Sequence, residues 1–332
     1  MLRGTRPTAV IAATLVVLTG GLSACGSETP GTGLDFADRL DAVTIGGDVG
    51  AATLEFDERM TAGEVESETL EEGTGDALAD DDTVFVNYIL GNGYTQQAAI
   101  DSFGEDAAAL EVTVGAEDNA EPATLDDVLK NLVTDSVTAG VTKGSRIVVT
   151  GDSESMFGPL AQSPALATEG IGNADGLVLL VDVLDVQVLE GPDGAVGKQP
   201  GWAPELVFNG NGPESFDFTG IAEPEPKAKL LFSALKTGTG EKVEKGDLLV
   251  IDYLGSIHDA DAPFDESYSK EPITAPEGGF VEGFNEAILG QTVGSRLLVR
   301  IPPAKGYGDQ AQGETIPANS TLYFVVDILA AV

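Results

Sequence analysis

Apolar and polar positions follow two rhythms along this chain. In Arg296–Ile301, Arg296, Leu298 and Arg300 alternate with Leu297, Val299 and Ile301, the period of a half-buried strand. The runs DLLVIDYLGSI (Asp247–Ile257) and STLYFVVDIL (Ser320–Leu329) are rich in β-branched and aromatic residues and bounded by turn formers, so both are predicted strands. A helical period is rarer. In TLDDVLKNLV, Leu125, Val128, Leu129 and Leu132 share one face behind Thr124, a good N-cap residue. Farther on, Phe284, Ala287 and Ile288 share a face, with Gly290 placed to end the helix. Several strands and one short helix recur in each half of the chain. That pattern predicts the α+β class, an antiparallel sheet packed on a helix.

The recurrence is literal. EEGTGDALADDDTVFVNY (Glu71–Tyr88) parallels KTGTGEKVEKGDLLVIDY (Lys236–Tyr253), TAGVTKGSRIVV parallels ILGQTVGSRLLV, and GNADGLVLLVDVLDV parallels PANSTLYFVVDILAA. The phrases keep their order while the spacing between copies shrinks, as duplicated domains with different loop lengths would require. Two long copies are too few for a solenoid. The expected organisation is a leader over residues 1–24, a flexible tether over 25–45, and a first domain over 46–190. A Gly/Pro-rich connector over 191–224 and a second domain over 225–332 complete it. Trp202, the single Trp, lies in that connector, so part of it should pack on a domain.

Composition narrows the function. Against 17 Lys and Arg stand 55 Asp and Glu, a net charge of −38, and such a field repels nucleic acid. Acidity can also signal disorder, but 42% apolar residues in strand-like runs argue for packed cores. At the start, Arg3 and Arg6 precede the apolar run Ala9–Leu18, too short to span a bilayer permanently. Then comes LSAC, ending at Cys25, the single cysteine; the tetrapeptide resembles a bacterial lipobox, whose thiol is acylated. An ordinary secretory signal is the alternative reading. On the lipobox reading the body of the protein is soluble, extracytoplasmic and anchored to the cell membrane through Cys25 alone.

Much chemistry lacks its parts. His258 is the only histidine and is expected on the surface, without a second base for a triad. One Cys gives neither a zinc knuckle nor a redox pair. The GTG pairs precede strands rather than open helices, and the acidic runs lack the spacing of a calcium loop. What remains is a supply of apolar and aromatic residues near turns in the second copy. Ordinary core packing would account for their number, though not for their order.

GSRLLVRIPPAKGYG (Gly294–Gly308), followed by IPANSTLYFVVDIL, resembles the FKBP-type peptidyl-prolyl isomerases. So do GDLLVIDYLGSI, PFDESYS and FVEGFNEAILGQTVGSR, in the family's order. The tandem arrangement behind a lipobox is similar to exported bacterial lipoprotein members. By this resemblance Tyr253, Phe264 and Phe324 would line an apolar pocket, and Phe284 would floor it where many relatives carry Trp. Phe280 and Val281 would offer backbone to an extended peptide, and Ile316 would sit on the rim. Asp265 would lie beside Tyr253, Tyr307 would turn its hydroxyl to the substrate carbonyl, and Lys270 falls where some relatives hold an Arg close to that Asp. Thr315 and Ala318 depart from the usual rim pattern.

The first copy keeps the phrases and loses the pocket. Tyr88 answers Tyr253, and IDSF aligns Ile100 and Asp101 with Phe264 and Asp265, but Thr134 falls at the floor and Phe157 replaces Tyr307. That copy is expected to be an inactive accessory. The resemblance implies an extracytoplasmic isomerase acting on proline-containing exported polypeptides, with tacrolimus-like macrolides as possible ligands and no cofactor or metal. A peptide-holding chaperone or scaffold with little turnover is the alternative; a two-lobed small-ligand binder fits two complete small domains poorly.

Overall fold

The pairing scheme of one half is drawn again in the other in the computed structural model, which describes residues 36–104, 107–119, 124–210, 212–225 and 227–332. The leader, Cys25 and the tether as far as residue 35 lie outside the described residues. In the first half the antiparallel sheet runs Glu66–Glu71, Arg146–Asp152, Gly176–Val183, Thr83–Asn92, Gln97–Asp101, with Leu110–Thr113 also on Thr83–Asn92. The second half repeats this order as Leu231–Thr237, Arg296–Ile301, Leu322–Ala331, Leu248–Ile257, Asp265–Glu266, with Ile273–Pro276 on Leu248–Ile257.

Register is kept as well as order. Val181 faces Tyr88 in the first sheet, and Val326 faces Tyr253 in the second. Even the irregularity recurs: the edge strand slips beside Arg146 in one sheet and beside Arg296 in the other. Both arginines make a two-pronged bond to an aspartate on the neighbouring strand. Arg146 donates to Asp182 at 2.7 and 2.8 Å, and Arg296 to Asp327 at 2.6 Å through each nitrogen. Such a fork fixes strand register because only one alignment satisfies both charges.

One face of each sheet carries its helix. Leu125–Ser136 opens with Thr124 as N-cap in a capping box with Asp127, and buries Val128, Leu129 and Val133. Glu282–Ile288 buries Phe284, Ala287 and Ile288, and Gly290 follows it in the left-handed region at φ +77°.

The other face is also covered, which the alternating pattern of Arg296–Ile301 did not anticipate. Leu298 is as buried as its neighbours. Over the second sheet, residues 205–217 form a hairpin that brings Phe216 and Phe218, with Trp202 and Ala203, onto Leu254, Leu298, Tyr323 and Val325. Over the first sheet, residues 36–61 form short paired strands that bring Ala42, Ala52 and Met60 onto Ile89, Val148, Val178 and Leu180. Residues 36–45, expected as the end of a flexible tether, are therefore ordered strand and turn. The connector likewise carries strands at 195–196, 205–209 and 212–217.

A further apolar cluster joins the halves. Phe85 and Ala109 meet Leu248, Val250, Leu329 and Ala330, with Leu184 and Leu189 of the intervening segment packed alongside. Among the described residues no helix is long and apolar enough to cross a membrane.

Candidate active site

In the second half, the space between helix and sheet is not filled. A cavity of about 410 Å³ opens there, lined by Tyr253, Phe264, Asp265, Gly279, Phe280, Val281, Phe284, Tyr307 and Phe324. Phe324, on the central strand, is the hub of its apolar wall. The rings of Phe284 and Phe264 stand edge-on to it at 5.2 and 5.7 Å between centroids, and Tyr253 tilts toward it at 6.4 Å. Gly255 allows this closeness, because a Cβ there would lie 2.6–2.7 Å from the Phe264 and Phe324 rings.

Phe284 closes the floor, buried on the inner face of its helix. The ring is smaller than the Trp that the resembled family often carries there, and by size alone it would leave a deeper or looser site. Phe280 changes that: its own ring stacks on Phe284 at 4.4 Å. Expected for its backbone, Phe280 contributes its side chain, while its carbonyl accepts a 2.8 Å bond from Asn285 Nδ2. Gly279, in the Gly-rich turn before it, also lines the cavity, a role that no side chain marks in the sequence.

The polar groups are few and sit on one side. The Tyr253 hydroxyl donates to Asp265 Oδ2, and the other carboxylate oxygen accepts from the Glu266 N–H at 2.9 Å. Burial, then that bond and the carboxylate's charge, pushes the Tyr253 hydroxyl well above its ordinary pKa, so it stays a proton donor. The strand carrying Tyr253 is held by Ser267, which accepts from the Tyr253 N–H at 2.9 Å and donates to Asp252 at 2.7 Å.

Tyr307 stands at the mouth, 38% exposed. It follows the turn Pro303–Lys305, and Gly308 beyond it takes φ +61°, where a side chain would be strained. The Gly308 carbonyl accepts from Asn319 N–H at 2.7 Å, and Lys305 bridges the turn to Glu282 and Glu286 on the helix. The two prolines and the Tyr thus form a braced loop.

Three expectations come out differently. Ile316 lies in the core beside the cavity, 6% exposed, and not among the lining residues, because its strand-like bridge to Gln312 turns it inward. Lys270 does not reach Asp265; its Nζ donates to the Glu266 carbonyl at 3.0 Å and lies 3.9 Å from that residue's carboxylate. His258, expected on the surface, is half-buried, with its ring 5.0 Å from Phe218 and edge-on to it. The covering segment supplies that Phe, so the burial was not visible from the local turn sequence.

In the first half the same place is core. Phe157 is 3% exposed and packs with Met156, Leu166, Ile171 and Leu179 over the helix residues Leu129 and Val133. The short helices 153–157, 158–162 and 164–168 replace the single turn of the second half. Thr134, aligned with the floor, is half-buried, and Ile100 packs at the margin of the core. Asp101 accepts from the Phe103 N–H at 2.8 Å instead of meeting Tyr88. Among the described residues no group of three or more His, Cys, Asp or Glu is arranged to hold a metal ion.

The profile of FKBP-type peptidyl-prolyl cis-trans isomerases matches residues 239–329, the stretch that builds the open cavity. FK506-binding protein 2 of Yarrowia lipolytica is 35% identical over 117 residues, covering 33% of this chain and 81% of that protein. FK506-binding protein 2 of Dictyostelium discoideum is 35% identical over 111 residues, 32% of this chain and 83% of that one. The FKBP-type isomerase FkpA of Escherichia coli is 34% identical over 101 residues, 30% of this chain and 37% of that protein.

Proposed function

The chain belongs to the family of FKBP-type peptidyl-prolyl cis-trans isomerases, and from that premise we propose a lipid-anchored, extracytoplasmic foldase. Its second domain, about residues 225–332 with the covering segment before it, turns over X-Pro bonds; its first domain is an inactive accessory. Proline-containing exported polypeptides are the substrates, and macrolides of the tacrolimus type are candidate ligands of the same cup.

The observation that carries the reading is the cavity: aromatic on its walls and floor, with two hydroxyls and one carboxylate. Rotation about an X-Pro amide faces a barrier of about 18–20 kcal/mol from resonance. No bond has to break, so neither nucleophile nor base is needed. The ring of the proline fits an apolar cup, where Phe264, Phe284 and Phe324 would exclude water from the amide. As the amide twists, its carbonyl leaves conjugation with nitrogen and turns toward the mouth. There the Tyr307 hydroxyl would stabilise the turned carbonyl more than the planar one. Asp265, fixed by Tyr253, presents its negative edge to the amide side. Lowering the barrier by about 5–7 kcal/mol corresponds to four to five powers of ten in rate. Unaided, such steps take tens of seconds or more and limit folding.

Isomerisation of an NMR-visible or fluorogenic X-Pro peptide by the full chain tests the reading. Catalysis that falls when Phe284 or Phe324 is replaced by Ala supports it; a folded protein with no effect on the peptide would move the reading to peptide-holding without turnover. The anchor is tested separately. Cys25→Ala is expected to release the protein from membranes or block its maturation, and unchanged membrane retention would remove the lipobox from the proposal.

A further inference from the structure

The edge of the second sheet is capped, and the matching edge of the first is bare. On Leu231–Thr237 the connector lays Ala195–Val196 against Thr237 and Lys236, and the Gly197 N–H donates to the Leu235 carbonyl at 2.7 Å. On Glu66–Glu71 the pairing is one-sided. Its ladder runs to Arg146–Asp152, no other described segment bonds to its backbone, and all six residues are exposed. A bare edge presents a row of unpaired N–H and C=O groups. The regular part of this strand is Glu66–Thr69, before the slip beside Arg146.

Glu66 pairs with Thr150 and Glu68 with Val148, so both carboxylates stand on the covered face of the sheet, at its rim. There a cavity of about 460 Å³ lies between the edge and the covering turn, lined in part by Asp38, Leu40, Asp41, Glu66, Glu68 and Val148. Its one cation is already engaged. Arg39, held in the left-handed region at φ +44°, donates to Thr150 Oγ1 at 2.8 Å and to the Glu64 carbonyl at 3.0 Å, and pairs with Glu66 at 2.8 Å. Asp38, Asp41 and Glu68 have no ion-pair partner among the described residues.

We propose that the Glu66–Thr69 edge is a docking strand for extended segments of unfolded polypeptides that carry Lys or Arg. The backbone row supplies pairing that any extended chain can use, and the carboxylates choose among chains. A long basic side chain can lay its apolar stem on Leu40 and Val148 while its charge meets Glu68 or Asp41. A second copy of this chain is excluded, since it would bring the same acids and a net charge of −38 against themselves. The half without an open cup thereby holds chains, and this role does not depend on turnover in the other half.

The probe is a labelled, proline-free peptide, Thr-Lys-Val-Lys-Val-Lys-Thr, titrated with the full chain and followed by fluorescence anisotropy. At low salt it is expected to bind at least about tenfold more tightly than the peptide with Glu in place of each Lys. Methylating every backbone amide of the Lys peptide keeps its charge and removes its N–H donors; binding should weaken by at least about tenfold. Glu68→Lys should weaken binding of the Lys peptide at least about fivefold. Glu214→Lys, the same charge change on the covering hairpin of the second half, should weaken it by less than about twofold, because salt screens distant charges. A Lys peptide that does not bind, a Glu peptide bound as tightly, or equal losses in the two variants would overturn the docking edge. A methylated peptide bound as tightly as its parent would overturn strand addition.

Discussion

Phe157 and Tyr307 occupy the same place in two sheets of the same order and register, and they do opposite things. Phe157 is sealed into a core with Met156, Leu166 and Ile171; Tyr307 stands at the mouth of an open cup. Each precedes a glycine in the left-handed region, Gly158 at φ +52° and Gly308 at φ +61°, so the backbone turn survives while its use changes. The scaffold that survives with it is the forked Arg–Asp pair, the slipped edge strand and the covered outer face. The concavity between helix and sheet is one hole with two fates. Filled, it contributes dispersion and burial to stability; left open, it forgoes that contribution and binds something else.

The largest expected effect follows from the covers. A fragment beginning at residue 225 lacks Trp202, Phe216 and Phe218 and bares Leu254, Leu298, Tyr323 and Val325. At about 1.5–3 kcal/mol per large apolar side chain, the loss should exceed about 4 kcal/mol, with aggregation. A fragment beginning at residue 191 should fold and turn over peptide; equal melting temperatures for the two would show the cover to be dispensable.

Next come the forks. Asp182→Ala strands the almost fully buried Arg146 and is expected to cost about 3–5 kcal/mol in urea unfolding. Asp327→Ala should cost less, since Arg296 is 13% exposed and can reach water. Reversed order would mean that the carbonyls of Gly47 and Asp48, which also accept from Arg146, suffice for it.

Exchanging the contrasted residues is subtler. Phe157→Tyr buries a hydroxyl without a partner and should cost about 1–3 kcal/mol while conferring no turnover. Tyr307→Phe should leave stability unchanged and lower kcat about threefold or more. Activity gained by the first, or full activity kept by the second, would break the assignment of the hydroxyl. The smallest effect is in pH. Burial raises the carboxyl groups of Asp247 and Asp252 above their ordinary range in the second half. The folded state holds those protons more tightly than the unfolded one, so stability rises as pH falls through the folded-state pKa values toward about 4. A melting temperature that rises as the pH is lowered from 7 toward that range is expected by calorimetry, and one that falls throughout would remove the part assigned to these two carboxyls.

How much of this was legible beforehand divides along the same line. The sheet strands, both helices with Thr124 and Gly290 at their ends, and the residues gathered around Phe324 could be read because local periodicity and motif order carry them. Of the covers only the packing of Trp202 could be read; the rest could not, because their glycines and prolines read as linker and their apolar residues are scattered, gaining meaning only from the sheet beneath. The alternation of Arg296 and Arg300 read as a wet face for the same reason. Lys270 and Phe280 depended on side-chain direction: whether the lysine turned to Glu266 or Asp265, and whether the ring turned into the site, is decided by three-dimensional neighbours.

The strand Leu322–Ala331 has a consequence for synthesis. It is the last strand described, yet it lies in the middle of the second sheet, bonded on both sides, and supplies Phe324 to the cup, Asp327 to Arg296, and Leu329 and Ala330 to the cluster around Phe85. A chain emerging in order cannot close the second core, build the cup or cover Phe85 until this strand arrives. Any product interrupted before Leu322 is therefore left without an active site and with apolar surface exposed on both halves, a form that quality-control proteases can recognise and remove.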